Sequence, residues 1–456
     1  MANQQARRDG SLSGDTIAAA ATAAGQAAIG VIRVSGPKAA EIAQQVCNKP
    51  LTPRRAEFCR FRSADGESID EGIALFFPAP ASFTGEDVVE LQCHGSPVVI
   101  DWLLEVIYHC GARPAAAGEF SLRAFLNDKL DLTQAEAIAD LIESGSRRAA
   151  KAAGQSLIGR FSARVGELQA ELTKLRVLCE SWLDFPDEDI DHAANEELDR
   201  RWHQVLAVID QVLHDASHGK KLSDGVNIAI AGLPNAGKSS LLNQLAGADS
   251  AIVTEQAGTT RDTIKETLIL DGVSLTLVDM AGLRDTEDLI EVEGIRRAQL
   301  EIGAADHVLW VADVRDGIEA AQISAHRLIP EAKDFSLVLN KIDLIDGEPR
   351  QFDDDGVVIA LSAKTGKGID ALVQHLKFVA GLDQASDGSF SARRRHIEAL
   401  QQARDRIAAA GPLLSTGLEL AAEELKGAQV HLDELTGEHT SDDLLGEVFS
   451  SFCIGK

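Results

Sequence analysis

Eight consecutive residues, Gly232-Leu233-Pro234-Asn235-Ala236-Gly237-Lys238-Ser239, follow the spacing G-x-x-x-x-G-K-S, and Ser240 comes next. This spacing suits phosphate. Glycines let backbone N–H groups close around the β- and γ-phosphates, Lys238 adds a point charge, and the Ser239 hydroxyl offers an oxygen to Mg²⁺. A loop of this kind works only between a strand and the positive end of a helix. The apolar run Val226 to Ala231 and a helix opening at Ser239 provide both.

Three further pieces follow in the order that a GTP site requires. Asp279-Met280-Ala281-Gly282 ends an apolar strand and places Asp279 for a water-mediated Mg²⁺ contact and the Gly282 N–H for the γ-phosphate. Asn340-Lys341-Ile342-Asp343 closes another strand, and the Asp343 carboxylate can accept both the N1–H and the 2-amino group of guanine. Adenine has no such donor pair, so ATP would leave Asp343 desolvated and unpaired. Ser362-Ala363-Lys364, after the last strand, can support the guanine O6 through backbone N–H groups. Within Gly258-Thr259-Thr260-Arg261-Asp262, Thr260 is the candidate switch threonine and second Mg²⁺ ligand beside Ser239. Leu283 follows Gly282, where a Ras-like site would carry a water-orienting Gln. A carboxylate from the acidic stretch Asp285 to Glu293 is the available substitute, while Arg261 and Arg284 are candidate arginine fingers or structural residues.

The elements that position these motifs can be read from texture. From Asp15 to about Ala124, short apolar segments alternate with Gly- and Pro-marked turns, a small α/β unit. From about Asp128 to Lys220 the spacing is helical, interrupted by the acidic loop Asp184 to Asp189. Apolar runs separated by helix-length segments between Val226 and Val379 predict a mainly parallel sheet wrapped by helices. After the linker Asp383 to Ser391, helix-forming composition returns through Phe449. That last stretch is too thin to fold alone. It is expected to pack on the helices of residues 128–219, making the nucleotide region, 220–379, an insertion in one helical domain completed by residues 380–456, after an N-terminal domain of residues 1–127.

Bulk composition limits the possibilities. The 456 residues carry 44 Lys and Arg against 71 Asp and Glu, a net charge of −27, so the surface as a whole repels nucleic-acid phosphate. RNA contact would have to be local or delegated, and Arg393-Arg394-Arg395-His396 is the clearest basic run. Six scattered cysteines without C-x-x-C pairs argue against zinc sites and disulfide frameworks and fit a reducing cytoplasm. The alanine-rich run Ile17 to Ala28 is too weakly apolar for a signal peptide, and no membrane span is expected.

Several stretches together resemble one family, the tRNA modification GTPase MnmE, also called TrmE. They are Ser82-Phe83-Thr84-Gly85-Glu86-Asp87, Ala124 to Leu132, Asp184-Phe185-Pro186, the nucleotide motifs, and the terminal Phe452-Cys453-Ile454-Gly455-Lys456. The resemblance covers nearly the whole chain. It implies an α/β multidomain protein: a Ras-like P-loop GTPase domain inserted in a helical domain, preceded by a small α+β domain that binds tetrahydrofolate and dimerises. It implies potassium held by Asn235 and by a loop with Thr254, Gln256 and Thr259, with Thr254 also in the GTP site, and Glu291 as the residue orienting water. For a 5,10-methylene- or 5-formyl-tetrahydrofolate, the matching positions are Arg33, Glu90, Lys129 and Lys456. By themselves Arg33, Glu90 and Lys129 read as surface or salt-bridge residues. Cys453 is a catalytic candidate or a buried thiol. The implied reaction, at the 5-position of wobble uridine in certain tRNAs, proceeds as a homodimer with an FAD-dependent MnmG (GidA)-like partner in a heterotetramer or larger complex.

Two departures from the family pattern are the loop Ala23 to Ala28, which lacks the usual Pro/Gly character, and Met280 in place of a threonine. A GTP-dependent ribosome-assembly switch is the competing reading, though it leaves the N- and C-terminal motifs unexplained. An ATP-dependent kinase fails on Asp343.

Overall fold

The computed structural model describes residues 14–144, 146–184, 192–224, 226–247, 251–255, 266–270, 273–277, 300, 302–329, 334–345, 347–353, 356–380, 390–437, 442–450, 452 and 455. The chain packs as two compact units. One comprises Met1–Ala139, Ser162–Leu198 and Ala409–Lys456; the other, Asp140–Phe161 and Asp199–Ala408.

The first unit is built on strands β1 (Thr16–Ala20), β2 (Ala27–Ser35), β3 (Glu57–Arg62), β4 (Ser68–Phe77), β5 (Val88–Gly95) and β6 (Ala112–Pro114). They form one sheet in the order β3-β4-β5-β2-β1-β6, antiparallel except for β1 with β6. Alternation along each strand sorts the side chains. Ile32, Val34, Cys59, Phe61, Ala74, Val89 and Leu91 point to one face and form a core with residues of the helices Ala39–Cys47 and Pro97–His109. Their neighbours in register, Arg33 opposite Glu90 and Phe58 opposite Ile73, lie on the other face. Gly72 is required at the crossing of β4 and β5, because a Cβ there would stand 1.9 Å from the Gln92 carbonyl oxygen.

Helices complete this unit. Phe125 and Leu132 pack with Val448, Phe449 and Phe452 of the C-terminal segment. The buried Asp433 accepts hydrogen bonds from the amides of Gln169, at 2.9 Å, and Gln429, at 2.8 Å, joining the helices Arg160–Asp184 and Leu418–Thr436.

The second unit carries β7 (Val226–Ala231), β8 (Ala251–Glu255), β9 (Glu266–Leu270), β10 (Val273–Leu277), β11 (His307–Asp313), β12 (Phe335–Asn340), β13 (Arg350–Asp353) and β14 (Val357–Ala360). Their order is β13-β14-β12-β11-β7-β10-β9-β8. The central pairs β10–β7, β7–β11, β11–β12 and β12–β14 are parallel, and the outer pairs are antiparallel. Every residue of β11 is buried, as expected for a strand covered on both faces. At the N-terminal end of these strands, Ser336 bridges two buried imidazoles, 2.9 Å from His307 Nε2 and 2.7 Å from His375 Nε2. Burial, with His375 nearby, pushes the His307 pKa down to about 4.

Helices from before and after the nucleotide segment pair within this unit. Arg393 reaches Asp140 at 2.7 Å, Arg404 reaches Asp210 at 2.6 Å, and the Trp202 indole donates to the Ile407 carbonyl at 2.6 Å.

Candidate functional site

The motif at residues 232–239 forms a loop between β7 and the helix Lys238–Ala246, at the C-terminal edge of the parallel strands. Open α/β sheets bind ligands at this edge. Two of its glycines are fixed by close approach. A Cβ on Gly232, at φ +147°, would stand 2.1 Å from the Val311 carbonyl oxygen, and one on Gly237, at φ +94°, would stand 2.4 Å from Asn340 Nδ2. Asn235 also adopts a left-handed backbone, φ +63°, with its side chain exposed. The Lys238 ammonium lies over the loop and donates to the carbonyls of Gly232 at 2.8 Å and Leu233 at 3.3 Å. Ser239 and Ser240 are exposed on the first turn of the helix.

Asn340 joins the three motifs. Its Nδ2 donates to the Ala236 carbonyl at 3.0 Å, and its Oδ1 accepts from the backbone N–H groups of Lys341 at 2.8 Å and Ala363 at 2.9 Å. The buried Ser362 hydroxyl donates to Asp343 Oδ1 at 2.6 Å and accepts the Thr365 N–H at 3.2 Å, which aims the carboxylate. Lys364 is exposed on the same loop. A guanine ring held by Asp343 beside this loop fits the donor set, and phosphates fit the loop's amides and Lys238.

Asp313, at the end of β11, is a site residue that the motifs do not reveal. Its carboxylate holds Lys341 Nζ at 2.9 Å, and that ammonium also donates to the Asn235 carbonyl at 2.6 Å. Two hydrogen bonds from Arg315, with Lys341 behind them and against the effect of partial burial, hold the Asp313 carboxyl well below the usual carboxylate range. The guanine motif is thereby tied to the phosphate loop. The available signal was an acidic residue ending a wholly apolar strand at the ligand edge of the sheet. An Asp313→Asn protein keeps the shape and loses the charge, so Lys341 and the phosphate loop loosen. Charge-assisted hydrogen bonds contribute about 1.5–3 kcal/mol, and a loss at the low end weakens nucleotide binding about tenfold. Titration with a fluorescent GDP checks this, and a change under twofold would remove Asp313 from the site.

Thr254 lies on β8 opposite Thr267 of β9. Gln256, Thr259, Thr260, Asp279, Gly282 and Glu291 lie outside the described residues, as do Cys453 and Lys456 of the C-terminal motif.

On the second face of the first sheet, partly covered by Phe83 and Phe120, Arg33 donates from Nε at 3.0 Å and from Nη2 at 2.8 Å to a single oxygen, Oε1 of Glu90. The guanidinium carbon lies 5.0 Å from the Phe83 ring centre and 5.7 Å from that of Phe120. The loop that supplies Phe83 also holds Lys129, whose Nζ donates to the Pro80 carbonyl at 3.1 Å. Arg33, Glu90 and Lys129 are thus gathered about residues 80–83. Gly85, at φ +80°, packs against Asn127 and Lys129, and the Asn127 amide donates to the Thr84 carbonyl at 2.7 Å. A carboxylate and two cations beside aromatic rings fit a flat, donor-rich heterocycle bearing a carboxylate tail.

Comparison with known proteins adds a second line. Residues 16–129 match a family model described as GTP-binding protein TrmE N-terminus, and residues 132–453 match the MnmE helical domain. A tRNA modification GTPase MnmE of Nitrosococcus oceani is 49% identical over 445 residues, 97% of each chain. Proteins of the same name are 49% identical in Shewanella amazonensis, over 97% of this chain and 99% of that one, and 50% identical in Histophilus somni, over 98% and 100%.

Proposed function

The chain belongs to the MnmE family of tRNA modification GTPases, and on that premise we propose how its parts divide the work. It is a GTP hydrolase involved in tRNA modification. The observation that carries this is the assembly around Asn340, which joins the phosphate loop, Asp343 and the Ser362–Lys364 loop in one hydrogen-bonded frame. Guanine is read by Asp343, the phosphates by the loop amides and Lys238, and Mg²⁺ by Ser239 with Thr260. Asn235 supports the potassium reading, because it is an exposed residue of the phosphate loop whose amide could serve a monovalent cation that offsets developing charge. Glu291 then orients the attacking water.

The residues Arg33, Glu90, Phe83 and Lys129 are the proposed binding site of the tetrahydrofolate derivative, with Lys456 and Cys453 assigned to it by the family resemblance alone. When bound, this group supplies the one-carbon unit for the wobble uridine. Phe58 and Ile73, a cross-strand pair 64% and 39% exposed, support a homodimer in which a second copy covers the β3–β4 part of this sheet face. The net charge of −27 supports delegating tRNA binding to the FAD-dependent MnmG-like partner in the cytoplasm. No helix among the described residues is long and apolar enough to cross a membrane. The insertion of residues 220–379 in a helical domain of residues 128–219 and 380–456 is supported by the helix pairs that join the two segments within each compact unit.

The deciding experiment is mass spectrometry of tRNA nucleosides from cells lacking this protein. The expected result is loss of the 5-(carboxymethyl)aminomethyl or aminomethyl uridines, restored by the wild-type gene and not by Lys238→Ala. An unchanged profile would sink the modification reading. Equal GTP turnover in KCl and NaCl at matched ionic strength would remove the potassium role alone.

A further inference from the structure

We propose that His214 and His218, one turn apart on the helix His192–Asp224, form a two-point chelate for a divalent transition metal of the zinc or copper class. The two Nε2 atoms face each other at 3.2 Å, with ring centres 4.5 Å apart and planes inclined by 60°. Bonds of about 2.0–2.1 Å from a metal to imidazole nitrogen place two such nitrogens about 3.3 Å apart at a tetrahedral centre and about 2.9 Å apart at a right angle. The observed separation lies between these values. Histidines at positions i and i+4 of a helix present both rings to one cation on one face, the spacing used in helical zinc sites.

The pair has a reason to accept a metal. Two neutral rings that meet through Nε2 must adopt opposite tautomers, because two lone pairs or two N–H groups would repel. A cation takes both lone pairs at once. On the far side of His214, Asp215 Oδ1 lies 3.6 Å from Nδ1, and the Gln211 amide holds that oxygen at 2.8 Å. At this distance the carboxylate is not hydrogen-bonded to the ring, but its negative charge favours a cation beside the imidazole. His214 is 62% exposed, so a cation arrives from solvent and keeps water in its remaining positions. Among the described residues no group of three or more His, Cys, Asp or Glu is placed to bind a metal, so the described protein ligands of this chelate number two. Mg²⁺ prefers oxygen donors and does not compete for it. The clamp closes a turn of the helix that leads into β7 and so into the phosphate loop.

The test uses the full chain, stripped with a chelator and returned to excess Mg²⁺. With one equivalent of Cu²⁺, the electron paramagnetic resonance spectrum should show splitting from two nitrogens. His214→Gln and His218→Gln should each reduce it to the pattern of one nitrogen or abolish it. Saturating Zn²⁺ should displace the Cu²⁺ signal and raise the melting temperature of wild type by about 2–4 °C, with no rise in either variant. The chain carries 12 histidines, so the difference between wild type and variants is the readout. Both residues are on the surface, and unchanged circular dichroism confirms that the variants fold. Variant spectra and melting shifts matching wild type would overturn the proposal.

Discussion

An Asp343→Asn protein should bind GTP about a hundredfold more weakly than wild type and should prefer xanthosine triphosphate. Guanine presents two adjacent donors, N1–H and the 2-amino group, and a carboxylate accepts both. An amide can accept only one of them and sets its own N–H₂ against the other. Losing one charge-assisted hydrogen bond and opposing two donors costs about 3 kcal/mol, which is roughly two orders of magnitude in affinity. Xanthine keeps N1–H but carries a carbonyl at position 2, so it matches the amide's acceptor and donor in turn. The Ser362 hydroxyl, 2.6 Å from Asp343 Oδ1, can donate to the amide oxygen in the same place and hold the side chain in the same plane. Competition of GTP, XTP and ATP against a fluorescent nucleotide checks the reversal. Wild-type affinity for GTP, or failure of XTP to compete, would show that Asp343 does not read the base. Restored hydrolysis with XTP would also show that the phosphate end is undisturbed.

The nucleotide motifs were legible in the sequence because their chemistry is local. A phosphate loop needs backbone N–H groups turned inward, so positions with positive φ or close neighbours, Gly232 and Gly237, must be glycine, and the spacing between Gly232 and Ser239 is set by loop geometry. Asp313 was not legible. Its partner Lys341 comes from a different strand–loop connection and links it in turn to the Asn235 carbonyl, and an Asp after an apolar strand has no distinctive spacing. The bridge His307–Ser336–His375 was silent for the same reason, as three polar residues meet only once the strands and a helix have packed. Arg33 and Glu90 stood out through the family resemblance alone. Geometry then explained part of the motifs Ser82–Asp87 and Ala124–Leu132. They fold against each other through the Asn127 amide on the Thr84 carbonyl and Lys129 on the Pro80 carbonyl, with Phe83 beside Arg33.

The remaining large prediction concerns what holds that frame. Arg123 is 2% exposed and donates to Asp15 Oδ1 at 2.6 Å, Glu86 Oε2 at 3.0 Å and Glu119 Oε1 at 3.0 Å, while Glu86 also accepts the Ser35 hydroxyl at 2.8 Å. Arg123→Met preserves much of the volume but removes the guanidinium that three carboxylates share, leaving Glu86 with the Ser35 hydroxyl and Glu119 with Arg113 and the Ala116 N–H. Removing one member of a buried ion pair costs about 3–5 kcal/mol. For a unit of this size that lowers the melting temperature by roughly 10 °C. Arg123→Lys should fall between, since a single ammonium cannot serve three carboxylates as a guanidinium does.

The pH dependence gives an independent check. Burial acts to raise the Asp15 and Glu119 carboxyls, but Arg113 and Arg123, with the Ala116 N–H at Glu119, outweigh it and hold both below their ordinary values. Groups with depressed folded-state values add stability above about pH 4.5 and lose it as the pH falls further. Wild type should therefore lose its advantage over Arg123→Met progressively as the pH falls below about 4.5, the two melting temperatures drawing together. A variant that melts within 2 °C of wild type at pH 7, or a gap that stays constant on acidification, would show that the network does not hold the frame. If the network does hold it, loss of Arg123 should also weaken any ligand that depends on Phe83 and Lys129, because Glu86 anchors the loop that presents the ring.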